Sequence, residues 1–193
     1  KLTGKPVIHF AHANGMPSRV YQPLFEVLEQ YFTVEYIATL GFDEQGQPTY
    51  AIDNHWKSLT NQVIDSVQKL VKKHKVPVIG WGHSLGALCT LQAIYRKPKL
   101  FVQAVLMDPP LIYGKDNFLW HTAKLVSPKR VDKMSPAGVS KNRRDVWDSR
   151  EQARELLRPK GFFKSFDDRT FEGYLQHGLR DQQDGSVTPV SYT

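Results

Sequence analysis

Apolar residues in the first 110 positions form short runs that alternate with longer segments of helical spacing. Runs of apolar residues predict buried strands, and spacings of three and four predict amphipathic helices. The predicted strands are 5–10, 33–39, a run beginning at Val76, and 100–107, and the helices end near 30, 74 and 97. Strands that alternate with helices predict a mainly parallel sheet, whose ligands gather at the strands' C-terminal ends.

One of these strands leads into Gly82-His83-Ser84-Leu85-Gly86, which has the form G-x-S-x-G and precedes a predicted helix. In this context the turn holds Ser84 exposed over the helix N-terminus, and small residues two positions either side let strand and helix pass closely. The alternative is an ordinary glycine-rich turn or a phosphate-binding loop. No phosphate-binding or dinucleotide-binding glycine pattern is present, which favours a nucleophilic serine.

After residue 110 the strand pattern gives way to helical patches, including 151–157 and 168–177. We interpret residues 111–179 as a helical insertion over the open end of the sheet, and 180–193 as a return to the core. The aromatic residues of this segment either line an apolar pocket or hold the insertion in place. They are Trp120, Trp147, Phe162, Phe163, Phe166 and Tyr174.

The chain has 193 residues and a formal charge of +7, and most of the excess lies in one segment. Residues 111–180 contain 15 Lys and Arg against nine Asp and Glu. This excess either attracts an acidic small-molecule substrate or forms an ordinary solvated surface, and no nucleic-acid-binding motif accompanies it. The apolar runs predict no membrane span. The lone Cys89 excludes an internal disulfide, and together with the absence of a signal-peptide pattern it predicts a cytoplasmic location.

The G-x-S-x-G turn, the strand order and the loop after the first strand together resemble the α/β-hydrolase superfamily, in its serine-nucleophile branch. The resemblance implies a parallel sheet with helices on both faces and a helical cap at 111–179. Residues 1–110 would form the N-terminal part of the core. The remaining core strands are not found in the sequence, so the chain resembles a member truncated at its C-terminus.

The resemblance also implies roles for individual residues. Ser84 would be the nucleophile, and the backbone N–H groups of Met16 and Leu85 would form the oxyanion hole. The loop that contains Met16 reads His12-Ala13-Asn14-Gly15-Met16-Pro17. Its alternative interpretation is a simple tight turn. We expect His12 and Asn14 to contact the substrate, and His9 and His12 to shape the loop.

A serine nucleophile needs a histidine base that is oriented by a carboxylate. The resemblance places both after the nucleophile, with the histidine beyond residue 193. Asp108 ends the fourth strand and is either the acid or the cap of the Pro109-Pro110 turn; His177 is a further candidate base. The expected activity is cofactor-free and metal-free hydrolysis of an ester, thioester or similar carbonyl compound. The alternative is a non-catalytic binding protein on the same scaffold, and the sequence does not indicate the oligomeric state.

Overall fold

A computed structural model describes residues 4–43, 46–49, 56–111 and 144–190. Its centre is a four-stranded sheet in the order β2-β1-β3-β4, in which every neighbouring pair is parallel. The strands are β1 Val7–Ala11, β2 Thr33–Tyr36, β3 Val78–His83 and β4 Phe101–Met107. A connection that contains a helix links each strand to the next, as parallel pairing requires. The predicted parallel α/β sheet is confirmed.

Helices cover both faces of this sheet, as predicted. They are α1 Gln22–Leu28, α2 Lys57–His74 and α3 Leu85–Arg96, and a 3-10 helix at Ser18–Tyr21 precedes α1. Strand β1 is buried at every position. Its Val7 and Ala11 belong to the core cluster formed with α2 and α3, whereas Phe10 packs edge-on against Phe25 of α1 on the opposite face. Both faces of the sheet are therefore covered by helices, which explains why apolar and polar residues do not alternate along β1.

Strand β2 ends three residues earlier than the sequence predicts. Ile37 N–H still donates to Phe10 O of β1 at 3.2 Å, but at the next residue the backbone is bonded to Ser18, whose N–H donates to Ala38 O at 3.1 Å. The Ser18 hydroxyl donates to Ile37 O at 2.5 Å. The two bonds made by Ser18 connect the end of β2 to the start of the 3-10 helix, next to the loop that contains Met16.

Between residues 144 and 190, the described part of the chain after the sheet contains three helices: α4 Arg150–Leu157, α5 Gly161–Lys164 and α6 Asp168–His177. They share a hydrophobic cluster with the loop after β1 and with the 3-10 helix, to which Ala13, Met16 and Val20 contribute. An ion pair at 2.6 Å joins Arg169 to Glu26 of α1. In the part of the chain that the structure describes, no helix is long and apolar enough to cross a membrane.

The last described residues form an antiparallel hairpin, β5 Leu179–Asp181 and β6 Val187–Pro189. We expected the chain to return to the core from residue 180. Instead, β6 is bridged to Trp147, which donates to Val187 O at 3.0 Å, and both hairpin strands add residues to the helical cluster. Trp120 and the rest of residues 112–143 of the predicted cap lie outside the described residues, so the boundaries of the cap stay a prediction.

Candidate active site

Ser84 lies in the turn between β3 and α3, with φ 50° and ψ −116°. Its own N–H donates to Met107 O at 2.8 Å, and its carbonyl accepts from Leu88 N–H at 3.1 Å. A non-glycine residue with positive φ costs about 1–3 kcal/mol and persists only where the surrounding structure imposes it. Here the bond to β4 and the first turn of α3 impose it on both sides.

The two glycines that flank Ser84 are required by close backbone contacts. A Cβ on Gly82 would lie 2.5 Å from the backbone N of Ala87, and a Cβ on Gly86 would overlap the carbonyl of Ala11. Helix α3 therefore crosses β1 and β3 at a distance that excludes any side chain at these positions. The sequence-based reason for the two glycines agrees with this geometry.

Ser84 faces a cavity of about 430 Å³ at the C-terminal edge of the sheet. Its wall is formed by the loop after β1, the 3-10 helix, α1, the ends of β3 and β4, and the segment of α5 and α6. The lining residues are Ala13, Asn14, Met16, Val20, Tyr21, Pro23, Leu24, His83, Ser84, Asp108, Phe162, Phe166 and Thr170. The wall is mostly apolar, with a few polar groups near Ser84, as in small-molecule binding sites.

Of the aromatic residues singled out in the sequence, Phe162 and Phe166 line this cavity. Trp147 and Tyr174 are buried in the hydrophobic cluster that α4, α6 and the hairpin share with the loop after β1, and Phe163 packs against this cluster. Both interpretations of these aromatic residues therefore apply, each to a different subset.

The loop from His12 to Pro17 brings Asn14 and Met16 to the cavity wall. Gly15 adopts φ 70°, and Met16 N–H donates to Ala13 O at 3.0 Å, so the loop is also a tight turn. Leu85 is the first residue of α3, where an N–H has no acceptor within the helix, and its side chain is in the core. The two proposed oxyanion donors thus belong to the two segments that border Ser84.

The structure does not bring His12 to the cavity wall. The ring is 1% exposed; its Nδ1 lies 2.7 Å from Ala13 O and its Nε2 lies 2.6 Å from Leu40 N. Because a backbone carbonyl only accepts and a backbone N–H only donates, the neutral ring carries its proton on Nδ1. Burial lowers the pKa of His12 to about 4, although the bond to Ala13 O opposes this. His12 therefore shapes the loop from behind, and the arrangement does not support a contact with substrate.

The other described histidines also lack a hydrogen bond to Ser84. His9 is completely buried on β1, with Nε2 3.0 Å from Ser66 Oγ, and burial lowers its pKa to about 4 despite the nearby Glu35. His74 pairs with Glu35, and His177 does not line the cavity. His55 and His121 lie outside the described residues. The buried environment of His9 could have been recognised from the uninterrupted apolar run around it.

A feature that the sequence did not reveal is a contact between the 3-10 helix and the turn at Ser84. His83 lines the cavity, and its Nδ1 lies 2.7 Å from the hydroxyl of Tyr21. Burial lowers the pKa of His83, and the negative charge of Asp108 partly offsets this. The spacing of Tyr21 and Phe25 on one helical face was the available signal.

Asp108 directly follows β4, has φ 45° and lines the same cavity as Ser84. It therefore lies in the same wall as Ser84, and both the acid and the turn-cap interpretations are compatible with this place. Among the described side chains, no three His, Cys, Asp or Glu residues cluster as metal ligands would.

Curated proteins with similar sequences include a thioesterase and an acetyltransferase. The type I acyl-CoA thioesterase mpaH of Penicillium roqueforti is 24% identical over 180 residues, which cover 89% of this chain and 39% of the relative. Ethanol acetyltransferase 1 of Hanseniaspora uvarum is 25% identical over 154 residues, covering 80% of this chain and 42% of the relative. The chain thus spans about two fifths of the length of the curated relatives it matches.

Solved structures share the fold. E-2-(acetamidomethylene)succinate hydrolase superimposes with a TM-score of 0.64 at 19% identity, covering 99% of this chain and 62% of that one. The peroxisomal α/β-hydrolase Lpx1 of Saccharomyces cerevisiae gives 0.65 at 15% identity, covering 98% and 54%. The family model described as alpha/beta hydrolase family matches residues 10–190. The parallel sheet, the turn at Ser84 and this match together place the chain in the alpha/beta hydrolase family.

Proposed function

We propose that this chain carries the nucleophile and oxyanion hole of a serine hydrolase that acts on carboxylic esters or thioesters. The observation that carries the proposal is the positive-φ conformation of Ser84 in the wall of the cavity. Strained residues in a cavity, at a strand-to-helix turn of this family, are typical of a nucleophile. The thioesterase relatives support the reaction class.

In the proposed reaction, Ser84 Oγ attacks the carbonyl carbon and loses its proton to a base, and the carbonyl oxygen becomes an oxyanion. Leu85 N–H donates to that oxyanion from the first turn of α3. Met16 N–H exchanges its present acceptor, Ala13 O, for the oxyanion. Each such donor contributes roughly 3 kcal/mol to transition-state stabilisation. Collapse of the intermediate expels the alcohol or thiol, and water then hydrolyses the acyl-enzyme.

The base is a histidine that the described residues do not supply, and we propose that it comes from a part of the full-length protein outside them. Asp108 is the proposed acid that orients this histidine, since it lies in the cavity wall at the end of β4. Asn14 is the proposed polar contact to the substrate, because it is exposed on the same wall.

The apolar wall favours a substrate with an acyl group of moderate size. The volume of about 430 Å³ fits a small molecule, and Phe162, Phe166 and Leu24 provide apolar contacts. The basic excess in residues 111–180 is compatible with an acidic leaving group. We propose no cofactor and no metal.

Labelling with a fluorophosphonate probe tests the nucleophile in the full-length protein. We expect labelling of the wild type and of the control Ser186→Ala, whose serine lies in the hairpin turn, and none in Ser84→Ala. Ser84→Ala should also lower ester hydrolysis by at least about 10³-fold, as loss of a nucleophile does. Labelling that persists in Ser84→Ala would contradict the proposal.

Measurements on the same full-length protein distinguish two other functions from the proposed one. The lack of a histidine bonded to Ser84 among the described residues favours a non-catalytic binding protein, which would bind an ester without labelling or turnover. The match to ethanol acetyltransferase 1 favours transfer of the acyl group to an alcohol. In that case the acyl-enzyme would give an ethyl ester in the presence of ethanol, and the free acid would be the minor product.

A further inference from the structure

The hydroxyl of Tyr21 connects the two segments that border Ser84. It accepts from the N–H of Ala13, in the loop after β1, at 3.3 Å, and lies 2.7 Å from Nδ1 of His83, in the residue before Ser84. The Tyr21 ring is held in place by Phe10 at 4.7 Å and by Phe25 at 6.4 Å between centroids. The position of the hydroxyl is thus set by the core and not by the cavity.

These two bonds favour one tautomer of the His83 ring. Because Tyr21 oxygen accepts from Ala13 N–H, its own proton remains to be donated, and His83 Nδ1 is the acceptor within reach. Burial raises the pKa of Tyr21 to about 12, so the hydroxyl keeps its proton at neutral pH. A neutral imidazole that accepts at Nδ1 carries its proton on Nε2.

Because Nδ1 is bonded to Tyr21, Nε2 is the ring nitrogen of His83 that is available to a ligand. His83 is half-buried and lines the cavity together with Ser84 and Asp108. In the described segments, Tyr21 is the only residue hydrogen-bonded to the His83 ring. A neutral N–H donor next to a reacting carbonyl matches an acceptor atom of the substrate, such as the second oxygen of an ester.

We propose that His83 is a specificity-determining hydrogen-bond donor to the substrate, and that Tyr21 is the positioning residue that holds it in the Nε2–H tautomer. This inference rests on the proposed hydrolase function. It adds a polar contact, from the residue that precedes Ser84, to the two proposed oxyanion donors and the proposed contact from Asn14. Tyr21 acts through His83 and does not itself contact the substrate.

Kinetics on p-nitrophenyl butyrate in the full-length protein test the donor. We expect His83→Leu to lower kcat/KM about threefold to tenfold, mainly through a higher KM, since a neutral hydrogen bond made in both ground and transition states is lost. His83→Gln retains an N–H donor and should recover most of the loss. A His83→Gln variant as impaired as His83→Leu, or a His83→Leu variant that matches the wild type, would overturn the proposal.

A double-mutant cycle tests the positioning role. Tyr21→Phe keeps the ring between Phe10 and Phe25 and should lower kcat/KM by a similar or smaller factor. The double variant Tyr21→Phe/His83→Leu should fall no further than His83→Leu alone, because Tyr21 acts only through His83. Additive losses would show that Tyr21 acts independently. The control is Tyr36→Phe, which removes a hydroxyl from the ring stacked on Phe25 and should leave kcat/KM unchanged.

The tautomer is read directly from nitrogen NMR of the imidazole. We expect the His83 ring of the wild type to carry its proton on Nε2, and Tyr21→Phe to shift the balance towards Nδ1. A wild-type ring protonated on Nδ1 would overturn the inference. Fluorophosphonate labelling of the wild type separates this failure from failure of the proposed function: labelling with unaltered His83 kinetics contradicts only the inference, and no labelling contradicts both.

Discussion

At the scale of single residues, the site depends on two kinds of constraint that act on opposite sides of Ser84. The glycines Gly82 and Gly86 remove side chains where α3 crosses the strands. The histidine His12 fills space behind the loop and satisfies two backbone groups there. None of these three residues lines the cavity, yet all three help to determine where Ser84 and the loop N–H groups lie.

Adding a methyl group at Gly86 tests the first constraint. We expect Gly86→Ala to lower the free energy of unfolding by more than about 2 kcal/mol, because the new Cβ would overlap the carbonyl of Ala11 and force the helix away from β1. Urea denaturation measures the change. Gly161→Ala is the matched control, since nothing lies within 4 Å of its added Cβ. An unchanged midpoint for Gly86→Ala would contradict the packing described above.

At the scale of elements, α5 and α6 divide the aromatic residues between two tasks. Phe171 of α6 is 2% exposed and belongs to the hydrophobic cluster of α4, α6 and the hairpin. The guanidinium of Arg158 lies over its ring, 4.9 Å from the centroid. Phe162 of α5 is 61% exposed and lines the cavity. The same residue type therefore has opposite energetic roles on adjacent helices, because one ring is withdrawn from water and the other borders the site.

Truncating these two rings should separate stability from substrate binding. We expect Phe171→Ala to lower the free energy of unfolding by about 3–5 kcal/mol, as loss of a buried phenyl ring does. Phe162→Ala should change it by less than about 1 kcal/mol while raising KM for p-nitrophenyl butyrate. Chemical denaturation and steady-state kinetics measure the two effects. A large loss of stability in Phe162→Ala would show that its ring is structural.

At the scale of the whole molecule, two hydrophobic clusters meet at the loop after β1. One lies between the sheet and helices α2 and α3, and the other includes α4, α6 and the hairpin. The loop contributes Ala13 and Met16 to the second cluster, although it begins at the end of a strand in the first. Helices α4 and α6 and the hairpin thus help to hold this loop, which forms one border of the cavity, in place.

Two neutral buried histidines, His9 and His12, should make the folded molecule sensitive to acid. Burial lowers the pKa of each to about 4, whereas the unfolded chain protonates its histidines near pH 6.5. Between these values the unfolded state binds more protons, so stability is highest above pH 6.5 and falls as the pH drops towards 4. Each histidine contributes up to about 3 kcal/mol to this loss.

Urea midpoints measured between pH 7.5 and 4 test this expectation. The control variant His9→Gln removes one of the two titrating rings and should reduce the loss of stability over this range by roughly half. A midpoint that is constant from pH 7 to pH 4.5 in the wild type would show that the two rings are not held neutral.

The sequence by itself determined the elements of the sheet and the position of Ser84. Apolar period and glycine spacing are local properties, so β1, β3, β4 and the helices between them were predicted within a few residues, and the end of β2 within three. The order of strands and helices was sufficient to predict the parallel sheet, since parallel neighbours require crossover connections. The helices predicted at 151–157 and 168–177 followed from the same periodicity, whereas α5 was not predicted.

Only the tertiary structure decided which polar groups meet in space. His12 was expected at the substrate, but its ring lies behind the loop, where it is bonded to Ala13 O and also to the N–H of Leu40, 28 positions away. The contact between Tyr21 and His83 spans 62 positions and depends on how α1 packs against β1. Hydrogen-bond partners of this kind depend on long-range packing, which no local pattern encodes, whereas the place of Ser84 depends on a turn that its immediate neighbours specify.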